Sequence, residues 1–186
     1  ADLTHIAVIQ EQISRMATLI NDLLDAARSQ IGRLVVEVKP VDVAGLVRGV
    51  AEQMEPSATT RRIIVDAPPI LPWPSDQRKL QQVIVNLLGN ALRYAASGPI
   101  TVTAAEAGGE LQVTVRDEGI GIAPDDLERI FARFEQGGTP RGQGLGLGLY
   151  ISRGIVQAHG GRIWAESEGL GKGAAFHVVL PYRENG

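Results

Sequence analysis

The spacing of apolar residues divides the chain into one long first helix and a series of shorter helices and strands. In the first segment an apolar residue recurs every third or fourth position, the a/d repeat of a coiled coil or helical bundle. The repeat consists of Ile6, Ile9, Ile13, Met16, Ile20, Leu23 and Ala27. A stripe this narrow favours burial against partner helices over docking on the chain's own domain. The pattern breaks near residues 30–32, where we expect a hinge or the end of the helix.

Beyond residue 32 the apolar positions follow either the period of a helix or the alternation of a strand. Asp42 and Asp76 each precede a helical pattern, as N-capping residues do, and Pro40 ends a weak alternation. The predicted elements are strands at 34–38, 63–65, 100–104, 111–116, 162–166 and 175–180, helices at 42–54, 76–96, 125–134 and 147–159, and an extended connector at 68–74. Hairpins outnumber strand–helix–strand units. This order favours an α+β fold, a two-layer sandwich in which helices cover one face of a mixed sheet.

Composition narrows the possible functions. The 18 Lys and Arg against 21 Asp and Glu give a net charge of −3, which offers no general attraction to nucleic acid or to an anionic membrane. The absence of Cys excludes a disulfide scaffold, a thiolate zinc site and a Cys nucleophile, and it suits a reducing compartment. No apolar run approaches the roughly 18 residues of a membrane span. Since Ala1 falls inside the predicted first helix, we expect a fragment of a longer protein.

A polar stripe lies on the predicted helix at 76–96. Asn86, Asn90 and Arg93 are spaced i, i+4 and i+7 and therefore share one side of the helix. The stripe can be a solvated polar face. Alternatively, the two amide oxygens can bind a hard cation such as Mg²⁺, with Arg93 near a phosphate.

Two glycine-rich segments follow. The run Asp117-Glu118-Gly119-Ile120-Gly121-Ile122 comes directly after a strand, where it is either a simple turn or a loop that approaches a ligand. Residues 142–149 alternate Gly with other residues and lead into a helix. They lack the Gly-Lys-Ser/Thr of a Walker A loop and the preceding strand of a Rossmann fingerprint. They can form an anion site at the helix N-terminus, next to Arg141, or a flexible loop.

In order and spacing, these segments resemble the ATP-binding domain of sensor histidine kinases, in the superfamily shared with gyrase-type topoisomerases and heat-shock chaperone ATPases. The N box resembles residues 86–94, the first glycine box 117–122, the F box 130–134 and the second glycine box 142–148; residues 169–176 are similar to the last family loop. The resemblance implies a Bergerat-type ATP-binding fold at 33–186. It also implies that residues 1–32 are the second helix of a dimerisation hairpin.

The resemblance also implies a role for each site residue. Asp117 would accept a hydrogen bond from the adenine amino group, and Arg93 and Arg141 would contact phosphates. The implied catalytic residues are Asn86, Asn90, Arg93 and Arg141, and the implied Mg²⁺ ligands are Asn86, Asn90 and Gln143. The implied nucleotide-binding residues are Asn86, Asn90, Arg93, Tyr94, Asp117, Gly119, Gly121, Ile122, Gln143, Gly144, Leu145, Gly146 and Leu147.

The resemblance favours a kinase over a hydrolase. Gyrase-type relatives have a Glu that activates water at the position of Asn86, whereas an acceptor imidazole needs no such base. His5 does not match the family's phosphoacceptor motif, and we interpret His159 and His177 as structural. We therefore expect the acceptor histidine to lie outside this sequence. The implied partners are ATP, a response-regulator receiver domain and a second copy of the chain. The implied location is the cytoplasm, either for a cytoplasmic protein or for the cytoplasmic part of a membrane sensor. A nucleotide-binding regulatory module, or a related ATPase without histidine kinase activity, remains the alternative.

Overall fold

The computed structural model describes residues 34–55, 62–95, 98–135 and 146–183 of the 186-residue chain. The predicted first helix at 1–32, including His5, lies outside the described residues. The same holds for Arg141, Gln143, Gly144 and Leu145 of the predicted site.

Within the described ranges, helices and strands alternate along the chain. The helices are α1 (Val43–Met54), α2 (Gln77–Tyr94) and α3 (Gly148–Ala158). The strands are β1 (Lys39–Asp42), β2 (Ile63–Asp66), β3 (Pro72–Ser75), β4 (Ile100–Ala107), β5 (Glu110–Asp117), β6 (Arg162–Glu166) and β7 (Ala174–Pro181). None of the described helices is long and apolar enough to cross a membrane.

The strands form a mixed sheet and a small separate ribbon. The five-stranded sheet has the order β2-β4-β5-β7-β6, with β2 parallel to β4 and the other neighbours antiparallel. The ribbon pairs β1 with β3 in antiparallel register. In β5, alternate residues from Leu111 to Val115 are buried, as expected of a strand with one face against a core. This arrangement confirms the predicted α+β fold with a mixed sheet.

The core lies between the helices and one face of the large sheet. α2 contributes its predicted apolar face, with Leu80, Val83, Ile84, Leu87 and Ala91 all buried. The Asp76 carboxylate caps this helix by accepting a hydrogen bond from the Lys79 N–H at 3.1 Å. The other face of the sheet carries polar and aromatic side chains, among them Trp164 stacked on His177 with ring centroids 4.9 Å apart.

Two predicted elements differ from the structure. The strand predicted at 34–38 is wrong: the strand is Lys39–Asp42, and it includes Pro40 opposite Pro74 of β3. A two-stranded ribbon tolerates proline because one side of each strand has no ladder to lose. The helix predicted at 125–134 is also wrong, because the structure has only short 3-10 turns at Pro124–Asp126 and Arg129–Phe131. Phe131 is the one buried side chain of this segment, too few for the apolar face that stabilises a helix.

His159 joins the end of α3 to the start of α2. Its Nδ1 lies 2.8 Å from the Ile155 carbonyl oxygen, and its Nε2 accepts the Asp76 N–H at 3.0 Å. The side chain is buried, and burial lowers the pKa of His159 below its ordinary value. Because both nitrogens are engaged in this way, the neutral imidazole with the proton on Nδ1 fits this position. The structure thus agrees with the interpretation of His159 as a structural residue at a helix end.

Candidate functional site

A buried carboxylate lies where β5 ends. Asp117 is only 6% exposed, and its Oδ1 accepts the Gly119 N–H at 2.8 Å. Burial raises the pKa of the Asp117 carboxyl above its ordinary value, while the N–H groups of Gly119 and Ala174 act in the opposite direction. A carboxylate has about four lone-pair sites, so these two donors leave acceptor capacity for a ligand N–H. A shifted acidic group of this kind is typical of a functional position.

The loop after Asp117 lies directly against the segment that leads into β7. The Gly171 N–H donates to the Ile120 carbonyl oxygen at 2.7 Å, and the Gly173 N–H donates to the Gly119 carbonyl oxygen at 3.1 Å. A Cβ atom on Gly121 would overlap the Gly169 carbonyl oxygen. In the described residues the glycines at 119 and 121 thus permit a close approach of the protein's own backbone segments; their approach to a nucleotide stays a prediction.

Tyr94 connects this loop to the polar stripe on α2. Its carbonyl oxygen accepts the Ile120 N–H at 3.1 Å, at the point where the helix ends. A Cβ atom on Gly119 would overlap the same carbonyl oxygen. The end of α2 and the end of β5 are therefore fixed against each other by backbone contacts.

The polar stripe itself borders the start of α3. The Nδ2 of Asn86 donates to the Gly148 carbonyl oxygen at 3.2 Å and to the Ser152 Oγ at 3.3 Å. Both bonds use the amide nitrogen, so Oδ1 remains an acceptor. Asn90 is half-buried one turn further along, and Arg93 is exposed in the last turn. The stripe is thus a set of neutral oxygens and one guanidinium beside the N-terminal end of another helix.

The residues that precede α3 have two different roles. Leu147 is buried in the core, so its side chain supports the fold. Gly146 has a φ of 66°, and its carbonyl oxygen accepts the Phe134 N–H at 3.1 Å. A left-handed residue here suits glycine, and a Cβ would lie 2.7 Å from the Glu135 carbonyl oxygen. The N-terminus of α3 is thereby held close to the short turn that contains Phe131.

The side-chain oxygens of the polar stripe suit a cation that is also bound by oxygens of a ligand. No group of three or more His, Cys, Asp or Glu side chains that could hold a metal occurs in the described ranges. Asn86 and Asn90 instead offer neutral amide oxygens, which are ligands of hard cations. Mg²⁺ is commonly held by few protein oxygens together with substrate phosphates and water, so these residues fit it as part of a nucleotide complex.

Two serines that contact site residues, Ser152 and Ser167, were not among the residues predicted from the sequence. Ser152 is fully buried and lies beside Asn86 across the α2–α3 contact. The Oγ of Ser167 accepts the Ile122 N–H at 3.0 Å. The only local signal for Ser167 is its position between a strand and a glycine-rich turn, where serine is common for many reasons.

Comparison with known proteins agrees with this geometry. The family described as histidine kinase-, DNA gyrase B-, and HSP90-like ATPase matches residues 75–184. This range contains every described residue of the predicted site.

Two curated relatives are similar over most of the chain. The adaptive-response sensory kinase SasA of Synechococcus sp. (strain JA-2-3B'a(2-13)) is 36% identical over 178 residues, covering 92% of this chain and 47% of SasA. The alginate biosynthesis sensor protein KinB of Pseudomonas aeruginosa is 37% identical over 187 residues, covering 97% of this chain and 30% of KinB. The chain thus spans less than half the length of these relatives.

A solved structure is similar in fold as well as in sequence. The crystal structure of full-length ShkA in complex with AMPPNP has a TM-score of 0.83 and 33% identity. The match covers 98% of this chain and 39% of the ShkA chain.

Proposed function

The chain belongs to the histidine kinase-, DNA gyrase B-, and HSP90-like ATPase family, and on that premise we propose that it is the ATP-binding catalytic part of a sensor histidine kinase. In this proposal the γ-phosphate of ATP is transferred to a histidine of a dimerisation helix and then relayed to a response regulator. The similarity to the sensory kinase SasA, to the sensor protein KinB and to the structure of ShkA in complex with AMPPNP supports it.

The observation that carries the proposal is the connection between Asp117 and the α2 stripe. The buried carboxylate offers an acceptor for an exocyclic amine, and the Tyr94 carbonyl fixes its loop to the helix that bears Asn86 and Asn90. A ligand that bridges the two needs an N–H donor at one end and, at the other, an anionic group that shares a cation with the amide oxygens or contacts Arg93. A nucleoside triphosphate has this form.

We assign the roles on this basis. Asp117 would accept a hydrogen bond from the adenine amino group, Ile122 would border the base, and the amide oxygens of Asn86 and Asn90 would hold the cation. When bound, Mg²⁺ would neutralise charge on the phosphates. Arg93 contacts a phosphate from the exposed last turn of α2. Arg141, Gln143, Gly144 and Leu145 stay predictions from the sequence, because they lie outside the described residues.

The same region favours phosphotransfer over hydrolysis. Neither α2 nor α3, the two helices that border the stripe, contains an acidic residue that could activate water. An imidazole acceptor is itself a nucleophile, so transfer to it depends on positioning and charge neutralisation. His159 has both nitrogens engaged. His177 has its Nδ1 3.0 Å from the Thr114 Oγ1, and its Nε2 is buried. We therefore place the acceptor on a histidine outside the described ranges.

The partners and location follow from this function as further parts of the proposal. Residues 1–32 would pair with a second copy of the chain as a helical bundle, and residues 33–186 would form the catalytic domain. A receiver domain would take the phosphate from the histidine. Since the substrate is ATP, we place this part of the protein in the cytoplasm.

Calorimetric titration with AMPPNP, with and without Mg²⁺, tests the nucleotide site. We expect saturable, Mg²⁺-dependent binding that Asp117→Ala abolishes. Asp66→Ala is the matched control, because Asp66 also ends a strand, β2, but is exposed. No binding by the folded chain, or equal loss in both variants, would contradict the proposal.

Transfer of labelled phosphate from ATP to a histidine-bearing helical hairpin, supplied in trans, separates the two remaining functions. Acid-labile phosphate on the hairpin would support a kinase. Nucleotide binding without any transfer would favour a regulatory module.

A further inference from the structure

The hydroxyl of Ser167 is surrounded by backbone groups from two segments. Ser167 follows β6, and its Oγ accepts the N–H groups of Ile122 at 3.0 Å and Gly169 at 3.2 Å. It donates to the Gly173 carbonyl oxygen at 2.7 Å, with the Gly169 carbonyl oxygen as a longer alternative at 3.2 Å. A serine hydroxyl has one donor and two acceptor sites, so these contacts use its full capacity.

These bonds reinforce a direct contact between the same two segments. The first segment, residues 119–122, contains the glycines after Asp117, and the second, residues 169–173, leads into β7. They already share the two backbone hydrogen bonds from Gly171 and Gly173. A Cβ atom on Gly121 would overlap the Gly169 carbonyl oxygen, so no side chain fits between the two segments at this point. The Ser167 hydroxyl adds a polar side-chain contact to both segments.

We propose that Ser167 is a positioning residue for the nucleobase end of the site, an inference that rests on the proposed function. Its hydroxyl holds the backbone of Ile122 in place, and the same loop sets the Gly119 N–H against the Asp117 carboxylate. Without the hydroxyl, the Ile122 N–H and the Gly173 carbonyl oxygen lose a partner at once. Asn86 is hydrogen-bonded to α3 instead, through Gly148 and Ser152. The hydrogen bonds of the Ser167 hydroxyl go to Ile122, Gly169 and Gly173 and include neither Asn86 nor Asn90. Loss of the hydroxyl therefore affects recognition of an adenine-like base and leaves the phosphate end intact.

Three ligands that share the adenine base test whether Ser167 acts at the nucleobase end of the site. AMPPNP, ADP and adenosine are titrated against the wild-type chain and against Ser167→Ala. We expect Ser167→Ala to weaken all three by a similar factor, about tenfold, which corresponds to the loss of one or two net hydrogen bonds. Ser75→Ala is the control and binds like wild type, since Ser75 is a fully buried serine whose Oγ has no partner among the described residues.

A second pair of variants isolates the hydroxyl from side-chain volume. Ser167→Thr and Ser167→Val have nearly the same shape, and only Thr keeps the hydroxyl. We expect Thr to bind the probes more tightly than Val, and amide hydrogen exchange at Ile122 to be faster in Val. This comparison also decides the matter if Ser167→Ala does not fold.

Three results would overturn the inference. Equal affinities for Thr and Val would show that the hydroxyl has no role in binding. A loss confined to AMPPNP, with adenosine unaffected, would place the defect at the phosphate end. A wild-type chain that binds none of the probes would overturn the proposed function itself, and this would be seen before any variant is compared.

Discussion

Gly119 is a position where the addition of one methyl group should reduce both stability and nucleotide binding. A Cβ atom there would overlap the Tyr94 carbonyl oxygen and lie 2.7 Å from the Asp117 Oδ1. Both neighbours are fixed, since the Tyr94 carbonyl accepts the Ile120 N–H and Oδ1 accepts the Gly119 N–H. Gly119→Ala must therefore move either the end of α2 or the buried carboxylate.

The expected cost follows from this crowding. Inserting atoms into a packed site costs about 1–3 kcal/mol, so the free energy of unfolding should fall by that amount. Nucleotide affinity should fall as well, by tenfold or more, because the displaced groups include the acceptor proposed for the base. Gly49→Ala provides the matched control: Gly49 lies in α1, and an added Cβ there would meet no atom within 4 Å. That substitution should raise the free energy of unfolding by about 0.5–1 kcal/mol, since Ala is the better helix former.

Urea unfolding measures both effects. Tryptophan fluorescence, to which the buried Trp73 contributes, reports loss of the core, and titration with AMPPNP reports binding. Wild-type stability and affinity in Gly119→Ala would refute the steric reasoning. A loss of stability in Gly49→Ala equal to that in Gly119→Ala would refute it too.

Three further predictions concern the role of the Asp117 carboxylate in binding, the effect of His159 on stability and the small contribution of the Glu110–Arg162 ion pair. Asp117→Asn should weaken AMPPNP binding about tenfold or more in calorimetry, because hydrogen bonds to charged groups are the stronger ones; unchanged affinity would contradict the assigned role. Burial lowers the pKa of His159 in the folded chain below its ordinary value of 6.5. As the pH falls, the unfolded chain therefore takes up a proton at this residue before the folded chain does. The free energy of unfolding should then fall as the pH drops below 6.5. Urea midpoints at about pH 7.5 and about pH 5.5 should show this fall, and a flatter dependence in His159→Gln would assign it. Glu110→Ala should leave the urea midpoint almost unchanged, because its ion pair with Arg162 is on the surface; a large shift would mean that the pair has a structural role.

The local pattern of the chain was enough to predict most helices and strands. α2 follows from one capping aspartate and an uninterrupted apolar stripe, and the β4–β5 hairpin follows from two alternating runs around Gly108 and Gly109. These features are local, because hydrogen bonding within a helix or across a short turn involves residues close in sequence. The resemblance of the ordered segments to the histidine kinase family is confirmed by the family match over 75–184.

Where local patterns were weak, the tertiary structure decided the outcome. Pro40 joins a strand because β3 pairs with it. Residues 125–134 form short turns because only Phe131 of this segment is fully buried. Neither result is visible in the segment itself, since each depends on what a distant part of the chain offers.

The sequence by itself determined the chemistry of the site residues and their order along the chain. It did not determine that the Asn86 amide nitrogen bonds to Gly148, that the Tyr94 carbonyl lies against Gly119, or that Ser167 reaches Ile122. Each of these contacts joins residues that are 25 to 62 positions apart. Such contacts form only when the packed helices and strands bring their ends together, so the tertiary structure alone turns the separate motifs into one site.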